Sequence, residues 1–243
     1  MKNLKQKILK TIRLFVGFFL LPLLFCRCNM FLHKTTDAEE YIRKNISKNQ
    51  FVISDGKIID DVKYWQVHFV DKPEFTFTVF SGLYAKAGAL IPEGYRIFTN
   101  FDNVFAKYYL IEYKKEHNSK IVFEVNPFNN YKYEEYQFNG YYSSTEEAHL
   151  LAQDIESFWN YINEQLYPCK ITIECHYRVF IDGAERGYRI YIESQGNSRT
   201  PNLQFNDEYV LNPVNKEMIE KKLLENIDNF NNAYKEYVER GTK

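Results

Sequence analysis

The sequence predicts an α+β protein of two helix-plus-antiparallel-sheet units behind an N-terminal hydrophobic anchor or signal segment. Three observations carry this. Paired stretches of period-two alternation, 64–79 and 170–192, are each broken by turn-forming residues, as hairpins are. Other stretches place apolar residues three and four apart behind capping-box spacings, as amphipathic helices do. The order helix, strands, loop, helix also occurs twice, over 36–117 and 145–240, which a diverged duplication of one unit would explain. The expected division is a leader over 1–34, a first unit with a linking hairpin over 35–142, and a second unit over 143–243.

The leader comes first. Leu14 to Cys26 is a run of thirteen uncharged residues, preceded by Lys2, Lys5, Lys7, Lys10 and Arg13 with no acid among them. A cationic flank before an apolar stretch is the pattern that export machinery reads, with the N-terminus inside and the remainder outside. Thirteen residues make roughly 20 Å of helix at about 1.5 Å each, short of a bilayer span. Snorkelling of Lys10 and Arg13, with Asn29 to Leu32 added, lengthens the segment to an uncleaved anchor over 8–32. Leu23-Leu24-Phe25-Cys26 resembles a bacterial lipoprotein signal, which implies lipid attachment at Cys26. A cleaved secretory signal is the third fate open to the leader.

Thr36-Asp37-Ala38-Glu39 has capping-box spacing and opens a helix whose stripe is Ala38, Tyr41, Ile42 and Ile46. Phe51 to Ile53 is extended, and Asp55-Gly56 turns. Trp65, Val67 and Phe69 then alternate with polar residues, as do Phe75, Phe77 and Val79. Pairing 65 with 79, 67 with 77 and 69 with 75 puts all six on one face around a five-residue loop. Residues 82–99, with Gly82, Gly88, Pro92 and Gly94, read as a long loop.

Phe101 to Glu116 reads as the next helix, Ile121 to Val125 as a strand, and 131–138 as its partner across an Asn-rich turn. Ser144-Thr145-Glu146-Glu147 is a second capping box, opening a helix that Pro168 ends. Lys170 to Ile181 is the longest strand, with Ile171, Ile173, Cys175, Tyr177, Val179 and Ile181 on its apolar face. A loop over 182–187 returns it to Tyr188, Ile190 and Ile192, in a register that sets Ile181 against Tyr188 and Val179 against Ile190. The last helix follows Asn212-Pro213, a cap with proline at the first helical position.

Composition limits the function. The net charge of −1 hides an asymmetry: residues 1–34 carry seven basic side chains, whereas all 32 acids lie beyond Lys34. Such an acidic remainder gives no electrostatic footprint for nucleic acid. Twenty Tyr and twenty Phe suit aromatic-filled strands better than a dedicated sugar-stacking surface. Of four cysteines, Cys26 and Cys28 belong to the leader; Cys169 and Cys175, about 20 Å apart along one strand, cannot bridge each other.

Three segments carry a family resemblance: YIRKNIS at 41–47, YWQVHFVDKPEFTFTVFSG at 64–82 and FDNVFAKYY at 101–109. Together they resemble small membrane-anchored envelope proteins of Gram-positive bacteria, and in outline they are similar to PepSY-type helix-plus-three-strand modules. The resemblance implies an inhibitory or regulatory envelope role, and no functional residue transfers with it.

The chain lacks His-Glu-x-x-His, paired Cys-x-x-Cys, Gly-x-Ser-x-Gly, a phosphate-binding glycine loop and an acidic calcium loop, so neither a cofactor, a metal ligand nor a catalytic residue is assigned. The best chemical candidate is the outward face of the 170–193 hairpin: Glu174, His176, Arg178, Arg189, Tyr191 and Glu193. The expected register sets His176 against Glu193, Arg178 against Tyr191 and Phe180 against Arg189. An ordinary solvated sheet face looks the same, with cross-strand pairs contributing roughly 0.2–1 kcal/mol each. Cys175 and His176 are adjacent strand residues, point to opposite faces and form no thiolate–imidazole pair. The expectation is a non-catalytic binding or inhibitory, immunity-like module of the cell envelope, facing an envelope protein or a toxin. The alternative is an envelope hydrolase using the same hairpin face.

Overall fold

The computed structural model describes residues 32–84, 94–125, 135–181, 183–193, 209–210 and 215–241. The leader with Cys26, the middle of the 82–99 loop and the Asn212-Pro213 pair lie outside the described residues. The chain divides into two compact units, 1–99 and 100–243.

The first unit comprises α1 (Thr35–Asn45), β1 (Phe51–Ile53), β2 (Lys57–Ile59), β3 (Val62–Phe69), β4 (Lys72–Tyr84) and β5 (Gly94–Thr99). Its sheet is antiparallel throughout: β1 and β2 pair with opposite ends of β3, and β4 and β5 follow in order. Trp65, Val67, Phe77 and Val79 are fully buried on one face. The chain entering α1 is fastened to this same face. His33 Nδ1 lies 2.8 Å from Ser81 Oγ, and Trp65 Nε1 donates to Thr35 Oγ1 at 3.1 Å. Ala38 and Ile42 of α1 are fully buried. The cap lies two residues earlier than the Thr36–Glu39 spacing suggests, at Lys34, because Asp37 rather than Glu39 reaches back, accepting from the Lys34 backbone N–H at 2.6 Å.

The second unit comprises α2 (Phe101–Glu116), β6 (Ile121–Val125), β7 (Tyr136–Tyr142), α3 (Thr145–Asn163), β8 (Thr172–Ile181), β9 (Ala184–Glu193), β10 (Tyr209–Val210) and α4 (Lys216–Gly241). Its sheet runs β10-β9-β8-β7-β6. Phe138, Tyr142, Ile173, Cys175, Tyr177, Ile190 and Ile192 form its buried face. Gly140 lets α3 come close, since a β-carbon there would sit 2.8 Å from Leu151. From α4, Asn226 Nδ2 donates to Tyr142 Oη at 2.8 Å, and Phe230 meets Tyr177 and Tyr188 edge-on. α2 packs against α3 through Tyr113 and Phe158, ring centroids 5.2 Å apart. The Ser144 cap forms as its spacing predicts: Ser144 Oγ accepts from Glu147 N–H, while Glu147 accepts from Ser143.

Two sheets rich in antiparallel pairs make the chain α+β, as expected, but three details differ. First, β7 and β8 are parallel, and so are β9 and β10, so the second sheet is mixed. Parallel neighbours need a long crossover, and α3 supplies it between β7 and β8. The β6–β7 hairpin therefore shares one sheet with β8 and β9. Secondly, the β8–β9 register is Ile181 to Ala184, Cys175 to Ile190 and Thr172 to Glu193, four residues from the expected one. Gly183, at φ +76°, permits a two-residue turn, and 184–187 become strand. Thirdly, Trp65–Val79 and Val67–Phe77 pair as predicted, but Phe69 pairs with Lys72 across a shorter turn, and an irregularity in the ladder takes up the surplus residues.

Candidate functional site

Alternation along β8 leaves Glu174, His176, Arg178 and Phe180 on the face away from α3 and α4. β9 adds Arg189 and Tyr191, and β7 adds Gln137, Asn139 and Tyr141. In the observed register His176 lies opposite Arg189 and Glu174 opposite Tyr191, whereas Arg178 faces Gly187. The positions predicted as Phe180–Arg189 and Arg178–Tyr191 pairs are therefore separated. Glu193 stands across from Thr172, not His176, and its side chain lies outside the described residues, as does Cys26.

Glu174 is the centre. Its side chain is 5% exposed, and both oxygens are engaged. Oε1 accepts from Arg189 Nη1 at 2.9 Å and lies 3.4 Å from His176 Nε2, while Oε2 accepts from the Gln137 amide. A buried carboxylate is costly unless it is paired and hydrogen-bonded in this way. Arg189 leaves its burial to Glu174, keeping its own side chain 54% exposed above Tyr191.

A second arginine is held by different means. Arg178 Nε meets Glu185 Oε1 at 2.9 Å, and its head lies 3.8 Å over the centre of the Tyr141 ring. Tyr141 in turn stacks on His176 at 5.1 Å. Beyond Arg178, Phe180 is 77% exposed. Both guanidinium heads are thus fixed by a carboxylate and lie over an aromatic ring, a setting that reduces the rotamer entropy lost on contact with a partner.

Burial holds the His176 imidazole below its ordinary value of 6.5. Glu174 and Glu124 oppose the shift, and Arg178 and Arg189 reinforce it. The ring is therefore neutral at pH 7. Its Nε2 is buried with no hydrogen-bond partner among the described residues, as is Asn139 Oδ1 on the neighbouring strand. Cys175 belongs to the opposite face, fully buried, where desolvation pushes its thiol far up. Both Cys169 and Cys175 are free and buried, and neither is activated as a nucleophile.

The lower end of this face opens into a cleft of 610 Å³ bounded by Gln137, Thr172, Glu174, Arg189 and Tyr191, with Asp102, Asn103 and Lys170 on its rim. The start of α2 is stapled there. Asn103 accepts from the Tyr136 N–H and donates to its carbonyl, and Asp102 Oδ1 accepts from the Lys170 N–H at 2.8 Å. Burial raises the Asp102 carboxyl above its usual value, outweighing that hydrogen bond and the Lys170 charge.

Sequence reasoning omitted Gln137, Asn139 and Tyr141 because it ended this strand at Phe138 and paired it with β6 alone, whereas β7 runs to Tyr142 and also pairs with β8. The signal was there: two strand patterns flanking one helix of crossover length. No group of three or more His, Cys, Asp and Glu side chains able to hold a metal ion occurs among the described residues. Comparison with known proteins finds no matching family, no similar curated protein and no similar solved structure, so the face is read from its own chemistry.

Proposed function

We propose that this chain is a membrane-tethered, extracytoplasmic binding module of the cell envelope, non-catalytic and inhibitory or immunity-like, whose partner is an envelope protein or a toxin. The leader supports the location: a basic flank, then Leu14 to Cys26. No helix among the described residues is long and apolar enough to cross a membrane, so the anchoring role falls to that leader, retained or lipidated at Cys26. The order helix, strands, loop, helix, repeated over 36–117 and 145–240 in the sequence, is the basis on which a diverged duplication is the proposed origin.

The observation that carries the binding role is the pair of arginine heads, Arg178 and Arg189, each paired with a carboxylate and lying over a tyrosine ring, beside exposed Phe180 on one sheet face. Arginine and aromatic groups already fixed in place are what interface hot spots are made of. The test is site-specific photo-cross-linking in intact cells. A photoreactive residue at 180 should trap a discrete envelope product, and one at Gln153, exposed on α3, should not. Equal cross-linking from both positions, or recovery of the intact chain in the cytosolic fraction, refutes the proposal.

The hydrolase reading draws on the contact between His176 and Glu174. It requires the imidazole as a general base, yet the nitrogen nearest the carboxylate is buried. If His176→Ala abolishes an envelope activity that Arg178→Ala leaves intact, the hydrolase reading replaces the binding one.

A further inference from the structure

Two side chains, a guanidinium and an imidazole, converge on one carboxylate oxygen of this face. Arg189 Nη1 bonds Glu174 Oε1 at 2.9 Å, and His176 Nε2 lies 3.4 Å from that same oxygen. The two residues are also direct cross-strand neighbours, where like charges repel. While the imidazole is neutral the arrangement is stable, with Arg189 taking the carboxylate and Nε2 without a hydrogen-bond partner among the described residues.

We propose that His176 is a proton switch for the Glu174–Arg189 clamp: an imidazolium at position 176 takes over Glu174 Oε1 and drives the Arg189 head towards the cleft. The proton comes from solvent and binds the ring, and no covalent bond other than that N–H changes. Every charged or titratable group facing the ring enters the balance. On its own strand these are Glu174 and Arg178; β9 adds Arg189, β7 adds stacked Tyr141, and β6 adds Glu124. Two carboxylates favour the imidazolium, and two arginines and burial oppose it. The switch therefore works on the acid side of the ordinary histidine range, with the clamp closed at neutral pH and opening as the pH falls. Because Arg189 and Glu174 both line the cleft, opening makes its wall more cationic. The switch rests on contacts within the second unit and is independent of where the protein resides.

The test is proton NMR of the full chain in detergent micelles, following the Cε1–H signals of its five histidines and assigning His176 with His176→Gln. The His176 midpoint should lie below 6.5, move up in Arg189→Gln and move further down in Glu174→Gln. Protection of the Arg189 guanidinium protons, taken relative to the intrinsic base-catalysed exchange of a free guanidinium at each pH, should fall as His176 becomes protonated, and should be constant over that range in His176→Gln. A midpoint at or above 6.5, no change in Arg189→Gln, or Arg189 exchange that is the same with and without His176 overturns the proposal. Arg189→Gln replaces a half-exposed side chain, so its readout does not depend on Glu174→Gln folding.

Discussion

The two sheets each centre on a long hairpin, and they differ in what sits at the turn and beneath the polar face. In the first, β3 and β4 close through Val70-Asp71, with the surplus residues accommodated beside Val67, and a neutral pair, exposed Gln66 donating to buried Thr78, lies on the side opposite Trp65. In the second, β8 and β9 close through a turn containing Gly183, the ladder is regular along its whole length, and an ion pair takes the equivalent place. A regular ladder with a glycine turn tolerates no local adjustment, whereas an irregular one does. The consequence is that the second hairpin should be the brittle one.

The largest test of that difference is glycine replacement. At Gly187 a β-carbon would lie 1.7 Å from the Tyr177 carbonyl oxygen, a clash of backbone with backbone across the ladder. Gly187→Ala should destabilise the chain by about 3 kcal/mol or more. At Gly82 of β4 the nearest atoms to a new β-carbon are Val62 methyls at 3.7 and 3.8 Å, ordinary contacts. Gly82→Ala should change stability by about 1 kcal/mol or less. Denaturant midpoints of the two variants decide it, and equal losses would remove the claimed asymmetry.

The same glycine explains what could be read from the sequence. Alternation assigns faces, and a slip of four residues preserves every face, so 170–192 announced its apolar and polar sides but not its register. Read as a loop residue, Gly187 lengthened the turn; placed in the strand, it brings His176 across from Arg189 rather than Glu193. Helix α2 was legible to the residue because its apolar spacing and flanks agree, and the Ser144 box because its chemistry is local. The parallel pairing of β7 with β8 joins strands separated by the whole of α3, so it is carried by the order strand, crossover-length helix, strand and not by any single local window. Asn226 was invisible for a related reason: a polar residue within an apolar stripe makes sense only once the Tyr142 hydroxyl is opposite it.

The polar faces come next in size. Glu174→Gln removes the charge that holds Arg189, but that head is half exposed and regains water, so the cost should be about 1–2 kcal/mol. Thr78→Val removes the neutral acceptor of Gln66 Nε2 and should cost about 0.5–1 kcal/mol. Raised salt should narrow the gap between wild type and Glu174→Gln and leave Thr78→Val where it was. A salt-independent Glu174→Gln would mean that the carboxylate acts through packing alone.

Turn chemistry offers a stabilising counterpart in the first sheet. Asp60 and Asp61, joining β2 to β3, both have left-handed backbones, at φ +50° and +62°. A two-residue hairpin turn of this kind favours Asp-Gly, since glycine reaches positive φ without steric cost. Asp61→Gly should therefore stabilise by about 0.5–1 kcal/mol. Gly183→Ala, at φ +76° in the second sheet, should destabilise by about 1 kcal/mol. Thermal midpoints moving in the same direction for both variants would contradict the strain argument.

The smallest effect depends on pH. Burial lifts the Asp102 carboxyl above 3.8, so between 3.8 and the folded value the native chain retains a proton that the unfolded chain has lost. Stability from this group is complete below 3.8 and declines as pH rises through the raised value, because the native state binds more protons there. Asparagine does not titrate, and its side-chain oxygen can still accept from Lys170 N–H. The stability of Asp102→Asn relative to wild type should therefore increase from pH 3 to pH 7, by less than any change above. A difference that is flat over that pH range would place Asp102 in water and detach the start of α2 from the mouth of the cleft.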